Sequence, residues 1–287
     1  MKEHLKIIHC GNFSYFSNGT AFNAHERKIS YGLMNHGHFV YDFSYRDQAR
    51  CQRFLGFKKK SIDIMNQNLI DTCITIKPDL LLMGKSEFVY ADTLKKIKEL
   101  IPTIKIAQWF VDYFQREADE AFLKQFKYTD CFFHTSAVEL QELSLEFKNL
   151  ICSYMPNITD KAFDQKIDSD KIYDVIYIAR DHKEDERYKF AVLLNDFCKN
   201  NHLNLKMYGS LGNGTVFGQN YYNEISKAKI AINFNRTDKI EGENKDKFMG
   251  SSDRMNHFMG TGTCTFSPKI RGLDTLYKDN EDVVYFD

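Results

Sequence analysis

Pro78-Asp-Leu-Leu-Leu-Met-Gly84 encloses four apolar residues between a proline and a glycine. A short apolar run without polar alternation is what a strand covered on both faces requires, and such strands belong to parallel sheets flanked by helices. The flanking sequence agrees. Residues 62–76 upstream and 90–100 downstream space their apolar side chains at helical period, so a helix is expected on each side. Further upstream, Lys6-Ile-Ile-His-Cys10 reads as a first strand, residues 11–20 as a loop, residues 21–35 as a helix ending at Gly37, and His38-Phe-Val-Tyr-Asp-Phe43 as a second strand. Downstream, Ile104-Lys-Ile-Ala-Gln-Trp-Phe110 and Thr129-Asp-Cys-Phe-Phe-His134 continue the alternation. Strands alternating with helical stretches predict βαβ units and a Rossmann-like first half.

The pattern breaks at Ser153-Tyr-Met-Pro-Asn157, and the chain stays polar to Lys171. A second series follows: strand Tyr173-Asp-Val-Ile-Tyr-Ile-Ala179, a helix over 185–200, a strand over 203–208, the turn Gly209-Ser-Leu-Gly-Asn-Gly214, strand Ile230-Ala-Ile-Asn-Phe234, a helix opening near Ser252, and strands at 263–266 and 282–286. The expected fold class is therefore α/β, with two Rossmann-like domains, 1–157 and 172–287, facing a cleft. Ligands of open parallel sheets sit beyond the carboxyl ends of the strands, which makes the loops after strands the place for chemistry.

Composition narrows the function. The 287 residues carry 39 Lys and Arg against 39 Asp and Glu, and 43% are hydrophobic, which suits a globular chain with a real core. A zero formal balance offers no bulk field for nucleic acid, so no nucleic-acid partner is expected. No apolar stretch approaches the roughly 20 residues needed to span a bilayer. Met1-Lys-Glu-His-Leu-Lys-Ile-Ile runs straight into a strand, and a cytoplasmic protein is expected. The seven cysteines include no C-x-x-C pair and are expected to be small core residues, with neither a zinc site nor a disulfide frame. Lys58-Lys-Lys60, with Arg50, Arg53, Phe54 and Phe57 nearby, either lies against an anionic lipid carrier or polyanionic acceptor, giving peripheral membrane contact, or is a solvated face.

The richest segment is Gly250-Ser-Ser-Asp-Arg-Met-Asn-His-Phe-Met-Gly-Thr-Gly-Thr-Cys-Thr-Phe266. Ser252 or Asp253 is suited to cap a helix whose free N–H groups attract phosphate, and Arg254 in the first turn adds a charged fork. Gly260 and Gly262 let the helix end tightly. An ordinary capped helix with a glycine stop is the competing reading.

Arg254 to Phe266, Ile270-Arg-Gly-Leu-Asp-Thr-Leu-Tyr277 and Glu281-Asp-Val-Val-Tyr-Phe286 together resemble the C-terminal donor-binding domain of GT-B glycosyltransferases, nearest the spore-maturation CgeB-like group. Tyr173 to Ala179 with Arg187, Lys206-Met-Tyr-Gly209 and Ala228-Lys-Ile-Ala-Ile-Asn-Phe234 are similar to the same family in order and spacing. The resemblance implies transfer of a sugar from a nucleotide-sugar donor to a hydroxyl of a glycan or lipid-linked acceptor, without a metal or other cofactor. It implies a donor site of Arg254, Ser252, His257, Gly260, Gly262, Arg187 and Gly209, with Arg180 competing with Arg187. Two departures accompany it. The glutamate pair of many retaining relatives is replaced by Met249 and His257, and the sequence stops at Asp287 after a strand, where such proteins continue into helices, so C-terminal helices are expected to be missing or truncated.

For an inverting reaction a base must take the acceptor proton. Asp112 after the fourth strand and His25 near the first helix are the expected catalytic pair, with His9 a further candidate. Asn12, Ser17, Asn18, Gly19 and Thr20 form a polar loop suited to an acceptor or a donor phosphate. The charged stretch from Thr237 to Lys247 is expected to be a flap over the donor. A non-catalytic sugar-nucleotide or glycan-binding protein is the alternative. A nicotinamide oxidoreductase is disfavoured because Gly11-Asn-Phe-Ser-Tyr-Phe-Ser-Asn-Gly19 lacks the G-x-G-x-x-G fingerprint.

Overall fold

A computed structural model describes residues 3–53, 58–112, 120–183, 185–234 and 248–286. Phe54, Phe57 and the expected flap over 237–247 lie outside the described residues. The chain divides into two compact units, Met1–Pro156 and Asn157–Asp287.

Among the described residues the first unit holds six strands: β1 (Lys6–Gly11), β2 (Phe39–Ser44), β3 (Leu80–Met83), β4 (Lys105–Phe110), β5 (Cys131–His134) and β6 (Ile151–Tyr154). They form one sheet in the order β2-β1-β3-β4-β5-β6, with every pair parallel. Intervening helices are α1 (His25–Asn35), α2 (Tyr45–Cys51), α3 (Lys58–Ile76), α4 (Ala91–Leu100), α5 (Glu120–Gln125) and α6 (Leu140–Glu146). Successive side chains point to opposite faces, so β1 feeds two cores. Ile8 and Cys10 pack with Met65, Leu69 and Leu94 of α3 and α4, while Ile7 packs with Leu82 and Trp109 against Ile29 and Leu33 of α1. Helix α1 starts four residues later than its pattern predicts. Asn18 and Gly19 take left-handed φ of 51° and 81°, and the chain reaches Ala24 through successive turns.

The second unit repeats the plan with β7 (Tyr173–Ile178), β8 (Leu205–Tyr208), β9 (Ala228–Ile232), β10 (Cys264–Pro268) and β11 (Val284–Phe286), ordered β11-β10-β9-β7-β8 and again parallel. Its helices are α7 (Glu186–Asn200), α8 (Gly218–Ser226) and α9 (Asp253–Gly260). The polar segment after Asn157 is anchored to this unit. Tyr222 donates to Asp164 at 2.8 Å, Lys171 donates to the Ser226 carbonyl at 2.7 Å, and Asn157 donates to the Ser251 carbonyl at 2.7 Å.

All seven cysteines are free thiols. Cys10, Cys73 and Cys198 are buried, but Cys51 and Cys264 are exposed, which corrects the expectation that they serve as core residues. Among the described residues no helix is long and apolar enough to cross a membrane.

Candidate active site

In each sheet the strand order reverses once, at β1/β3 and at β7/β9, and a crevice opens outside the carboxyl ends at such a switch point. In the second unit the β7/β9 crevice is floored by Arg254. Its Nη1 donates to the Ile178 carbonyl at 2.9 Å and its Nη2 to the Phe234 carbonyl at 2.8 Å, so one guanidinium ties the ends of both strands. The sequence pattern placed this fork on a phosphate. The geometry adds to that reading, because one N–H of each terminal nitrogen is committed to backbone and the second N–H of each is not. What Arg254 leaves at the crevice is a fixed positive charge and a buried Nε without a hydrogen-bond partner.

Ser252 occupies the N-cap position of α9, yet its side chain makes no cap hydrogen bond. Its hydroxyl donates to Asn233 Oδ1 at 2.6 Å, and Asn233 in turn donates from Nδ2 to Ser267 at 3.0 Å, so the start of α9 is pinned to the ends of β9 and β10. The loop after β7 is equally constrained. Asp185 accepts from Tyr188 N at 2.7 Å and from His182 N at 3.0 Å, capping α7, while Arg187 Nη1 donates to the Arg180 carbonyl at 3.3 Å. Asp181 accepts from Ser210 and, at 3.3 Å, from Leu211 N. Gly209 has φ of 74°, and a Cβ there would lie 2.7 Å from the Ala179 carbonyl oxygen, so the backbone admits no side chain at this place. Arg180, Arg187, Arg254, Ser252 and Gly209 are thus gathered around the ends of β7 and β9.

Three expected donor residues lie elsewhere. His257 is 5% exposed, with Nδ1 3.2 Å from the Tyr221 hydroxyl and its ring edge-on to Tyr221, so it faces the interior and not the crevice. Gly260 and Gly262 sit at the far end of α9, about 12 Å from Ser252 at the helical rise per residue. Gly262 N donates to Met259 O at 2.9 Å and Thr263 N to Phe258 O at 3.1 Å, which is a Schellman stop. Gly260 admits Asp164, whose Cβ would be 2.6 Å from a side chain there. Their role is to end the helix and let it pack.

In the first unit, Asn12 leaves the end of β1 and its N–H donates to Glu26 Oε1 at 3.1 Å. Burial pushes the Glu26 carboxyl above its usual range, against the pull of its own N–H, that of Asn12, and the charges of His25 and Arg46. Glu26 was not singled out from sequence. The available signal was a carboxylate in the first turn of the helix that follows β1, beside His25, whose ring lies 6.2 Å from that of Trp109. Asp112 is 66% exposed and pairs with Lys85 Nζ at 3.1 Å, while its carbonyl accepts from His134 Nε2 at 2.8 Å. Gly19 and Thr20 lie in exposed turns, and Thr20 Oγ1 donates to the Ser17 carbonyl at 2.8 Å.

His9 is corrected from candidate base to structural residue. It is fully buried, Trp109 Nε1–H donates to its Nε2 at 3.0 Å, and its Nδ1 then donates to Ser30 at 2.8 Å. Ser30 passes the chain to Asp42 at 2.6 Å. With Nε2 occupied as an acceptor, the ring cannot gain a proton without facing the indole N–H, and burial lowers its pKa to about 3.

Residues 184–287 match the family described as Glycosyl transferase-like. No curated protein matches the chain by sequence. Among solved structures, sucrose-phosphate synthase from Thermosynechococcus elongatus is 9% identical with a TM-score of 0.55, the likeness covering 98% of this chain and 85% of that one. The E. coli trehalose-6-phosphate protein bound with UDP-2-fluoro glucose is 9% identical with a TM-score of 0.59, covering 94% and 86%. UDP-GlcNAc 2-epimerase from Methanocaldococcus jannaschii is 7% identical with a TM-score of 0.53, covering 98% and 88%. Residues 184–287 are thus similar to a glycosyl transferase-like family, and the chain has a fold of two parallel-sheet α/β units resembling GT-B glycosyltransferases.

Proposed function

We propose that the protein is a metal-independent glycosyltransferase that binds a nucleotide-sugar at the β7/β9 crevice and passes the sugar to a hydroxyl acceptor, in synthesis of a surface glycan or glycoconjugate. The observation that carries the reading is the set of three guanidinium groups, Arg180, Arg187 and Arg254, around the carboxyl ends of β7 and β9 in the domain that matches the glycosyl transferase-like family. Negative charge grows on the nucleotide diphosphate as the glycosidic bond breaks. Fixed cations, with the positive end of the α9 dipole, stabilise that charge without reorganising. The UDP-2-fluoro glucose bound to the trehalose-6-phosphate protein, and the UDP-sugar in the name of the epimerase, favour a uridine diphosphate donor.

The acceptor proton passes to a base in the first unit. Asp112, His25 and now Glu26 are the groups to test, and a carboxyl raised by burial suits the last for this task.

The test combines binding and turnover. UDP at 100 times its Kd is expected to stabilise the protein by about 2.7 kcal/mol. Arg254→Ala should abolish the shift, but it also removes two charged hydrogen bonds to backbone and is expected to lower stability by about 3 kcal/mol. Arg180→Ala separates the effects, since Arg180 is exposed, lies over the Phe217 ring and is expected to fold normally with weakened UDP binding. Sugar transfer that persists in EDTA supports the metal-independent mechanism. No stabilisation by any nucleotide diphosphate would sink the donor assignment.

A further inference from the structure

The first unit contains a cavity of about 380 Å³ walled by the loop after β1, by α2 and by the start of α3. Four cations line it: Arg46, Arg50, Arg53 and Lys58. Among the described residues the one lining carboxylate is Asp47, with Oδ2 accepting from Tyr15 N at 2.9 Å and from Ser44 at 2.5 Å. Arg46 is balanced by Glu87, to which its Nε donates at 3.0 Å. Among the described residues no ion pair is formed by Arg50, Arg53 or Lys58, so even with Asp47 and Glu87 set against the four cations the cavity carries an excess of positive charge. Lys58 also opens the 19-residue helix α3, whose dipole adds positive potential at that wall.

The remaining lining narrows the ligand class. Ser14, Ser17 and Asn12 supply hydroxyl and amide groups, and Phe16 stands 54% exposed on the wall with Arg50 over its ring at 5.5 Å. An exposed aromatic face beside hydroxyls suits a sugar ring, and concentrated positive charge suits a phosphate. The volume lies within the range of small-ligand sites. It is the charge cluster flagged in the sequence around Lys58, but drawn together with Arg46 on α2 and with the β1 loop, which the sequence does not join.

We infer that this cavity binds the phosphate group of a phosphorylated sugar, and that the acceptor of the proposed transfer is such a phosphosugar. The inference rests on the transferase reading for the word acceptor, but binding by the cavity stands apart from it. Arg50 and Lys58 grip the phosphate, and Phe16 covers one face of the ring.

Calorimetric titration of the full chain with glucose 6-phosphate, inorganic phosphate and glucose, at low and high salt, tests this. Glucose 6-phosphate and phosphate are expected to bind and glucose not to bind. The double variant Arg50→Gln/Lys58→Gln is expected to weaken binding at least tenfold while leaving the melting temperature and UDP affinity within error. Vesicles of phosphatidylcholine with phosphatidic acid form a second arm. Binding to them that is lost in the double variant, with little affinity for the soluble ester, assigns the same phosphate site to a lipid headgroup. Phosphate binding that the double variant leaves unchanged, or no binding of ester, phosphate or vesicle, overturns the inference. Failure of UDP to bind while glucose 6-phosphate binds overturns the donor reading and not this one.

Discussion

His9 shows how a single residue becomes structural. It sits on β1, a strand buried from Ile7 to Cys10, and its two ring nitrogens close a directional chain from Trp109 through Ser30 to Asp42. Its folded pKa of about 3 lies below the ordinary histidine value, so the unfolded chain binds a proton that the native state refuses. Stability is therefore full above about pH 6.5 and falls as pH drops toward 3, by about 1.4 kcal/mol per pH unit. Between pH 7.5 and 5 the wild type should lose about 2 kcal/mol from this group, and His9→Gln should remove that part of the loss. Urea unfolding of both proteins at the two pH values measures it, and parallel pH profiles would refute it. Nothing in Lys6-Ile-Ile-His-Cys10 tells this histidine from a catalytic one, because the deciding partner, Trp109, lies 100 residues away.

At the scale of elements, two helical glycines that look alike in sequence predict opposite outcomes. Gly32 lies within α1 with nothing within 4 Å of an added Cβ. Gly260 ends α9 with the Asp164 Cβ 2.6 Å away, and Asp164 is held by Tyr222 and by Asp160 N at 3.0 Å. Alanine gains about 1 kcal/mol over glycine in a helix, while overpacking costs about 1–3 kcal/mol. Gly32→Ala is expected to stabilise by up to about 1 kcal/mol and Gly260→Ala to destabilise by about 1–2 kcal/mol. Denaturant midpoints decide, and a stabilised Gly260→Ala would show that Asp164 yields. The two glycines of the α9 stop were readable as a helix end, but the neighbour that makes Gly260 necessary comes from the segment after Asn157, read in the sequence as a polar break. Strand β6 and helix α2 carried no pattern that set them apart, being short and partly exposed, whereas α8 does space its buried Tyr221, Tyr222 and Ile225 at helical period.

Across the whole molecule, each sheet buries its apolar strands under helices, and the stability of both units rests on packing, with no covalent staple. All seven thiols are free, and burial pushes those of Cys10 and Cys73 up to about 12, which leaves them protonated and unreactive at neutral pH. Adding a reductant is expected to leave the melting temperature unchanged to within about 1 °C, since no disulfide contributes the roughly 2–4 kcal/mol such a bond supplies. A clear fall in the melting temperature would reveal a bridge. Exposed Cys51 and Cys264 are the thiols expected to label with an alkylating agent in the native state.

The sequence by itself determined the parallel α/β class and most strands of both sheets, because the period and length of apolar runs are local properties that burial on one or two faces imposes directly. It also drew attention to the segment around Arg254. What that guanidinium touches, which way His257 faces and which carboxyl is buried beside β1 were decided by tertiary structure alone. Hydrogen bonds and desolvation act over a few ångströms in space between residues far apart in the chain. Arg254 meets a carbonyl 76 residues away, and the cavity joins the cations of α2 and α3 to the loop after β1, more than 25 residues earlier in the chain.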